Sequence, residues 1–130
     1  MRVLLINRND FVDGGADRVY INTVEELKGR KVEKSSEEIV VDTFTRSDLQ
    51  VVEKENPRNL SLWRKILLVR QYLFNKEVAV LLEKKVLEFQ PDVAHVHLIF
   101  GTLSLSVLRI LKKLGVPMVM TVHDYRLVCP

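Results

Sequence analysis

The stretch from Pro91 to Pro130 constrains the fold more than any other part of this sequence. It reads as an apolar β-branched run, a helix-patterned segment and a second apolar run: PDVAHVHLIF, then LSVLRILKKLGVPM, then VMTVHDY. Strands that are apolar almost without interruption are buried on both faces, which is the pattern of a parallel sheet with helices on each side. Each run ends in polar, titratable residues, His95 and His97 on the first, His123 and Asp124 on the second. In open α/β sheets ligands bind just beyond the carboxyl ends of the strands. The polar residues fall where such a fold does its binding.

The rest of the chain repeats the alternation. Val3-Leu4-Leu5-Ile6 is a buried-strand run ending at Asn7. A loop from Arg8 to Gly15 leads into a helix predicted from Ala16 to about Lys28, with Ala16, Val19, Tyr20, Thr23, Val24 and Leu27 on its inner side. Asp13 is placed to cap that helix, Asp17 suits its positive end, and Gly29 sits where helices end in a left-handed residue. Gly29 to Glu38 is polar and turn-like, and Ile39 to Phe44 is a second strand. Thr45 to Asn59 reads as a long loop. Helices follow over Leu60–Phe74, with Trp63, Ile66, Leu67, Arg70 and Leu73 spaced by three or four, and over Lys76–Phe89, with Val78, Leu81, Leu82, Val86 and Phe89 inward. Pro91 introduces the third strand, Val93 to His97. A helix is predicted over Thr102–Leu114 and a fourth strand over Met118–His123. The fold class is α/β, a Rossmann-like open parallel sheet with helices on both faces.

Composition narrows the partners. Twenty Lys and Arg against seventeen Asp and Glu give a net charge of +3, so most charges belong to mixed, solvated faces. Lys84-Lys85, Lys112-Lys113, Arg64-Lys65 and Arg70 are either such faces or a basic surface for an anionic membrane. Aromatic residues interleaved with the basic ones are missing, which argues against nucleic acid. No apolar run reaches the roughly eighteen residues of a transmembrane helix. The amino terminus is too short in apolar residues for a signal peptide. The single cysteine, Cys129, suits a reducing compartment.

Each motif has two readings. Gly14-Gly15 is a tight turn or a loop whose amides approach a phosphate. It is not a dinucleotide fingerprint, because Asn7 to Asp13 separates it from the strand, and no P-loop Gly-Lys-Ser/Thr exists. His95 and His97 alternate on one strand and share a face. A metal would need a third ligand that the sequence does not offer. A backbone-satisfied His95 and a crevice-lining His97 are the simpler expectation. His123 is a packing histidine or a hydrogen-bond partner for a hydroxyl-rich ligand. His123 and Asp124 point to opposite faces in extended backbone, so they form no dyad.

Three ordered motifs together resemble a known family: Gly14-Gly15-Ala16-Asp17-Arg18, Pro91-Asp92-Val93-Ala94-His95-Val96-His97, and Gly115-Val116-Pro117 through Thr121, His123, Asp124 and Tyr125. They resemble the amino-terminal domain of GT-B glycosyltransferases, closest to the retaining group 1 type (family 4), over the whole chain. The resemblance implies two Rossmann-like domains across a cleft, the amino-terminal one holding the acceptor and the other the nucleotide-sugar donor. It implies His123 as the catalytic residue. Gly14, Gly15, His97, Asp124 and Arg18 would be substrate-binding. It further implies no metal and no cofactor beyond the nucleotide-sugar substrate. The expected setting is cytoplasmic, in cell-envelope polysaccharide synthesis. On this reading residues 1–130 are a fragment, inactive alone, whose donor domain and phosphate-binding basic residues lie elsewhere. Gly29-Arg30-Lys31 departs from the family's usual Arg-Gly-His at that turn. The alternative is a non-catalytic α/β binding or interaction module.

Overall fold

Val3, Leu4, Leu5 and Ile6 are all buried because β1 (Arg2–Ile6) lies in the middle of the sheet. The computed structural model describes residues 1–31, 38–49, 63, 70 and 73–123. Their sheet has four strands in the order β2-β1-β3-β4, with β2 spanning Val40–Phe44, β3 Val93–Val96 and β4 Met118–Met120. Every pairing is parallel, with Val3 opposite Val41 on one side and Val93 on the other, and with His95 opposite Val119.

Alternate residues of each strand serve opposite faces. Leu4, Ile6, Ala94 and Val96 pack against α2 (Lys76–Phe89) and α3 (Ser106–Lys113). Val3 and Leu5 pack against Tyr20 and Val24 of α1 (Gly15–Leu27). Helices therefore cover both faces, as predicted. In α2, Val78, Leu82 and Val86 form the predicted inner stripe, each contributing about 1.5–3 kcal/mol by burial. Asn75 starts that helix by accepting hydrogen bonds from the Glu77 and Val78 amides. The Asn75 amide in turn donates to the hydroxyls of Ser104 and Ser106, latching the start of α2 to the start of α3. Among the described residues, no helix is long and apolar enough to cross a membrane.

Several predicted details change. Helix α3 begins at Ser106 rather than Thr102, because Gly101 (φ 99°) and Ser104 (φ 65°) are left-handed and break any helix there. Strand β4 ends at Met120. Val19, predicted inward, is exposed, and the inner face of α1 is Asp17, Tyr20 and Val24. Trp63 is exposed. Asp13 does not cap α1: Gly14 is its N-cap, and Asp13 pairs with Arg8 at 3.7 Å. Gly29 (φ 77°) does end the first helical segment as expected. The start of the predicted loop after β2 is a capped turn, Arg46–Asp48, in which Thr45 and Asp48 bond reciprocally. The rest of that loop, most of the Leu60–Phe74 helix, Asp124 and Cys129 lie outside the described residues. The basic helical residues are partly paired: Lys85 meets Asp42 at 2.9 Å and Lys113 meets Glu83 at 2.7 Å.

Candidate functional site

A polar rim runs along the carboxyl ends of the strands. Asn7 follows β1, Thr45 follows β2, His97 follows β3, and Thr121 to His123 follow β4. The chain turns from β1 toward β2 on one side and finds β3 on the other, so the crevice expected of an open α/β sheet lies at β1 and β3.

Asn7 organises the β1 side. It is fully buried and uses both ends of its amide: its Nδ2 donates to the Asn9 carbonyl at 2.8 Å and to Asp17 Oδ1 at 2.9 Å. Its Oδ1 accepts from the Leu98 amide at 3.1 Å, tying the end of β1 to the segment after β3. Asp17, also buried, accepts further from Asn9 Nδ2 at 3.5 Å and from the Asp13 amide at 3.3 Å. The loop from Arg8 to Gly14 is thus held from inside by side-chain amides and a carboxylate. From outside, Ser47 donates to Asp10 at 2.7 Å and the Arg46 amide donates to the Arg8 carbonyl.

That loop presents Gly14 and Gly15 at the start of α1. Gly14 is extended (φ −169°), and neither glycine has a left-handed backbone. A Cβ on Gly15 would meet nothing within 4 Å, and one on Gly14 only Asp17 at 4.0 Å. Neither turn geometry nor internal packing demands the glycine pair, so a tight turn does not account for it. Arg18 is exposed one turn into the helix.

The β3–β4 side gathers all three histidines of the chain. His97 Nδ1 lies 3.0 Å from His123 Nε2, with the rings stacked 5.3 Å apart. The His95 ring is 4.3 Å from that of His97, and its Nε2 bonds the Thr121 hydroxyl at 2.8 Å. His95 is therefore satisfied by a side chain rather than by backbone. Tyr20 of α1 stands edge-on to His97 at 5.4 Å. Burial pushes the Tyr20 phenol up to about 12, against a hydrogen bond with Thr43 and with help from the nearby carboxylates of Asp48, Asp10 and Asp42. Burial, reinforced by His95 and His123, pushes His97 down to about 4. His95 is lowered by burial and then by His123. The lowered value keeps His97 neutral at physiological pH.

His97 is only 1% exposed, so it stands behind His123 rather than lining the crevice as expected. His123 is half-buried and carries the reachable edge of the pair. Asn7, Asp17, Tyr20 and Thr121 were not singled out as site residues. The strand-end position of Asn7, the same signal that marks His97, was available in the sequence. Among the described residues, no three His, Cys, Asp or Glu side chains are grouped to hold a metal. A groove of about 810 Å³ lies away from this rim along α2 and α3, where Lys76, Arg109, Lys112 and Lys113 surround Phe74 and Ile110.

Residues 13–127 match the family model described as Glycosyltransferase Family 4. The matched span contains Gly14, Gly15, Asp17, Arg18 and the three histidines. No curated protein and no solved structure matches.

Proposed function

The chain belongs to glycosyltransferase family 4, and from that premise we propose that it is the acceptor-side, amino-terminal domain of a retaining, two-domain GT-B enzyme. The enzyme moves a sugar from a nucleotide-sugar to a glycan or lipid-linked acceptor in cell-envelope polysaccharide synthesis. The observation that carries this reading is the histidine cluster at the carboxyl rim, where His123 is more exposed than its hydrogen-bonded partner His97. An imidazole there suits a hydrogen bond to a sugar or acceptor oxygen near the reacting carbon, held in place before the reaction begins.

Gly14 and Gly15 support the reading from the β1 side. The open space over Gly15 lets a phosphate or sugar approach the backbone at a helix start. Arg18 and Asp124 complete the proposed substrate-binding set, and His97 acts through His123. The departing diphosphate is neutralised by basic residues of the second domain, and residues 1–130 alone are inactive. The substrate is the nucleotide-sugar, with no further cofactor and no metal.

In the full-length enzyme, His123→Ala lowers sugar transfer about 100-fold, the order expected for a lost transition-state hydrogen bond. Undiminished turnover removes His123 from the site. The same reading makes the protein cytoplasmic, with peripheral contact to an anionic membrane through the basic groove of α2 and α3. Retention on vesicles containing anionic lipid, lost at high salt, supports that contact; salt-independent retention, or none, discards it.

A further inference from the structure

The three histidines are unequal in what their nitrogens can reach. His95 Nε2 has the Thr121 hydroxyl. His97 Nδ1 has His123 Nε2, whereas His97 Nε2 is buried with no hydrogen-bond partner among the described residues. The groups that face His97 are Tyr20 from α1, His95 from its own strand and His123 from beyond β4. The Tyr20 hydroxyl is already engaged with Thr43. No carboxylate hydrogen-bonds His97 among the described residues.

A neutral imidazole carries its proton on one nitrogen and accepts on the other. If the His97 proton sat on Nε2, it would be a buried N–H with nothing to receive it, and orphaned buried donors are rarer than under-satisfied acceptors. The proton therefore sits on Nδ1 and is donated to His123 Nε2. A nitrogen that accepts carries no proton, so neutral His123 must hold its own on Nδ1. Protonating His123 at Nε2 would place two hydrogens between the rings, or drive the His97 proton to its orphaned Nε2.

We propose that His97 is a positioning residue that fixes His123 as the Nδ1–H tautomer, so that His123 meets its ligand as a hydrogen-bond donor and not as a base. The ligand atom it suits is an acceptor oxygen, a hydroxyl or a phosphoryl oxygen of the sugar donor. This rests on the proposed sugar-transfer site, of which it specifies the polarity. The relay accounts for the buried, half-satisfied imidazole of His97.

The test reads the tautomers directly, by long-range ¹H–¹⁵N correlation of the histidine rings in the chain at about pH 8, above the ordinary histidine range. The wild-type spectrum shows both His97 and His123 protonated on Nδ1. In His97→Phe, His123 returns to the Nε2–H form that free imidazole side chains favour. In His97→Gln, whose amide can still donate, His123 stays Nδ1–H. A wild-type His123 protonated on Nε2, or a tautomer unmoved by His97→Phe, overturns the proposal. The wild-type spectrum decides even if His97→Phe fails to fold.

In the full-length enzyme, His97→Phe lowers kcat about tenfold, as loss of an orienting partner does, and His97→Gln restores most of it. Rescue absent in a Gln variant that keeps the tautomer counts against the relay. If the spectra come out as expected while His123→Ala transfers sugar at full rate, the relay stands and the sugar-transfer reading fails. If His123→Ala abolishes transfer while its wild-type ring is protonated on Nε2, the reading survives and the relay falls.

Discussion

On the face packed against α2 and α3, the strands contribute Leu4, Ile6, Ala94 and Val96, and the helices answer with Val78, Leu82, Val107 and Leu111. On the α1 face the alternate positions of the same strands contribute Val3 and Leu5, then His95 and, just past β3, His97. The first face is apolar except at its β2 edge, where Asp42 lies opposite Leu4 and pairs with Lys85 of α2. The second is apolar only under α1 and becomes polar toward β3 and β4, where the histidines, Tyr20 and Thr121 meet. One face supplies cohesion and leaves the other free to hold buried groups that cost stability unless they are paired.

The contrast can be broken most forcefully on the apolar face. Leu82→Ala removes a side chain with no exposed surface, and we expect a loss of about 3 kcal/mol, the same at every pH from 5 to 8. Urea unfolding measures it, and a loss below about 1 kcal/mol would mean the α2–α3 side is not the packed core.

Next comes the polar staple. Asn7→Ala takes one of its three donors from the buried Asp17 carboxylate and leaves the Leu98 amide without its side-chain acceptor, costing about 2–3 kcal/mol. The distinguishing sign is local, namely faster hydrogen exchange at Leu98 than at strand amides of the apolar face. Equal acceleration everywhere would show that Asn7 acts only through global stability.

The smallest effect depends on pH and belongs to the polar face alone. Because the folded value for His97 is about 4 against an ordinary 6.5, the unfolded chain takes up its proton first. Stability conferred by keeping His97 neutral is present above pH 6.5 and drains away as pH falls toward 4. From pH 8 to pH 5 the loss is at most about 2 kcal/mol. His97→Phe should flatten that part of the profile, while Leu82→Ala keeps the wild-type slope. A profile unchanged in His97→Phe would place the titration elsewhere.

Much of the fold was legible because the strands announce themselves. Val3 to Ile6 is apolar on both faces and Val93 to Val96 is interrupted only by His95, the pattern of a parallel, doubly covered sheet. Helix α2 was legible in its stripe of Val78, Leu82 and Val86. The start of α3 was hidden, since Leu103 and Leu105 keep a helical spacing while Gly101 and Ser104 hold left-handed backbone that spacing does not reveal. Val19 misled because the inward position one turn into α1 goes to a carboxylate, Asp17, that the loop needs.

At the site, strand-end logic found His97 and His123. It could not show that they touch, because contact depends on β3 and β4 being neighbours in one particular register. The Asn7–Asp17 bond was equally hidden, joining a strand end to a helix start across a loop of irregular backbone.

The central place of β1 has a consequence for how the molecule is made. Its first residue, Arg2, gives its amide to Asp92, 90 residues later in the chain, and Val3 pairs with Val93. At a synthesis rate of about 5–20 residues per second, β1 therefore waits roughly 5–18 s on the ribosome before one of its two neighbours exists. During that interval the most deeply buried strand among the described residues has one edge open. Its early partner is β2, through Val40 to Phe44. The β1–α1–β2 unit, with Tyr20 and Val24 already lying over Val3 and Leu5, is the part of the fold that can close around it first.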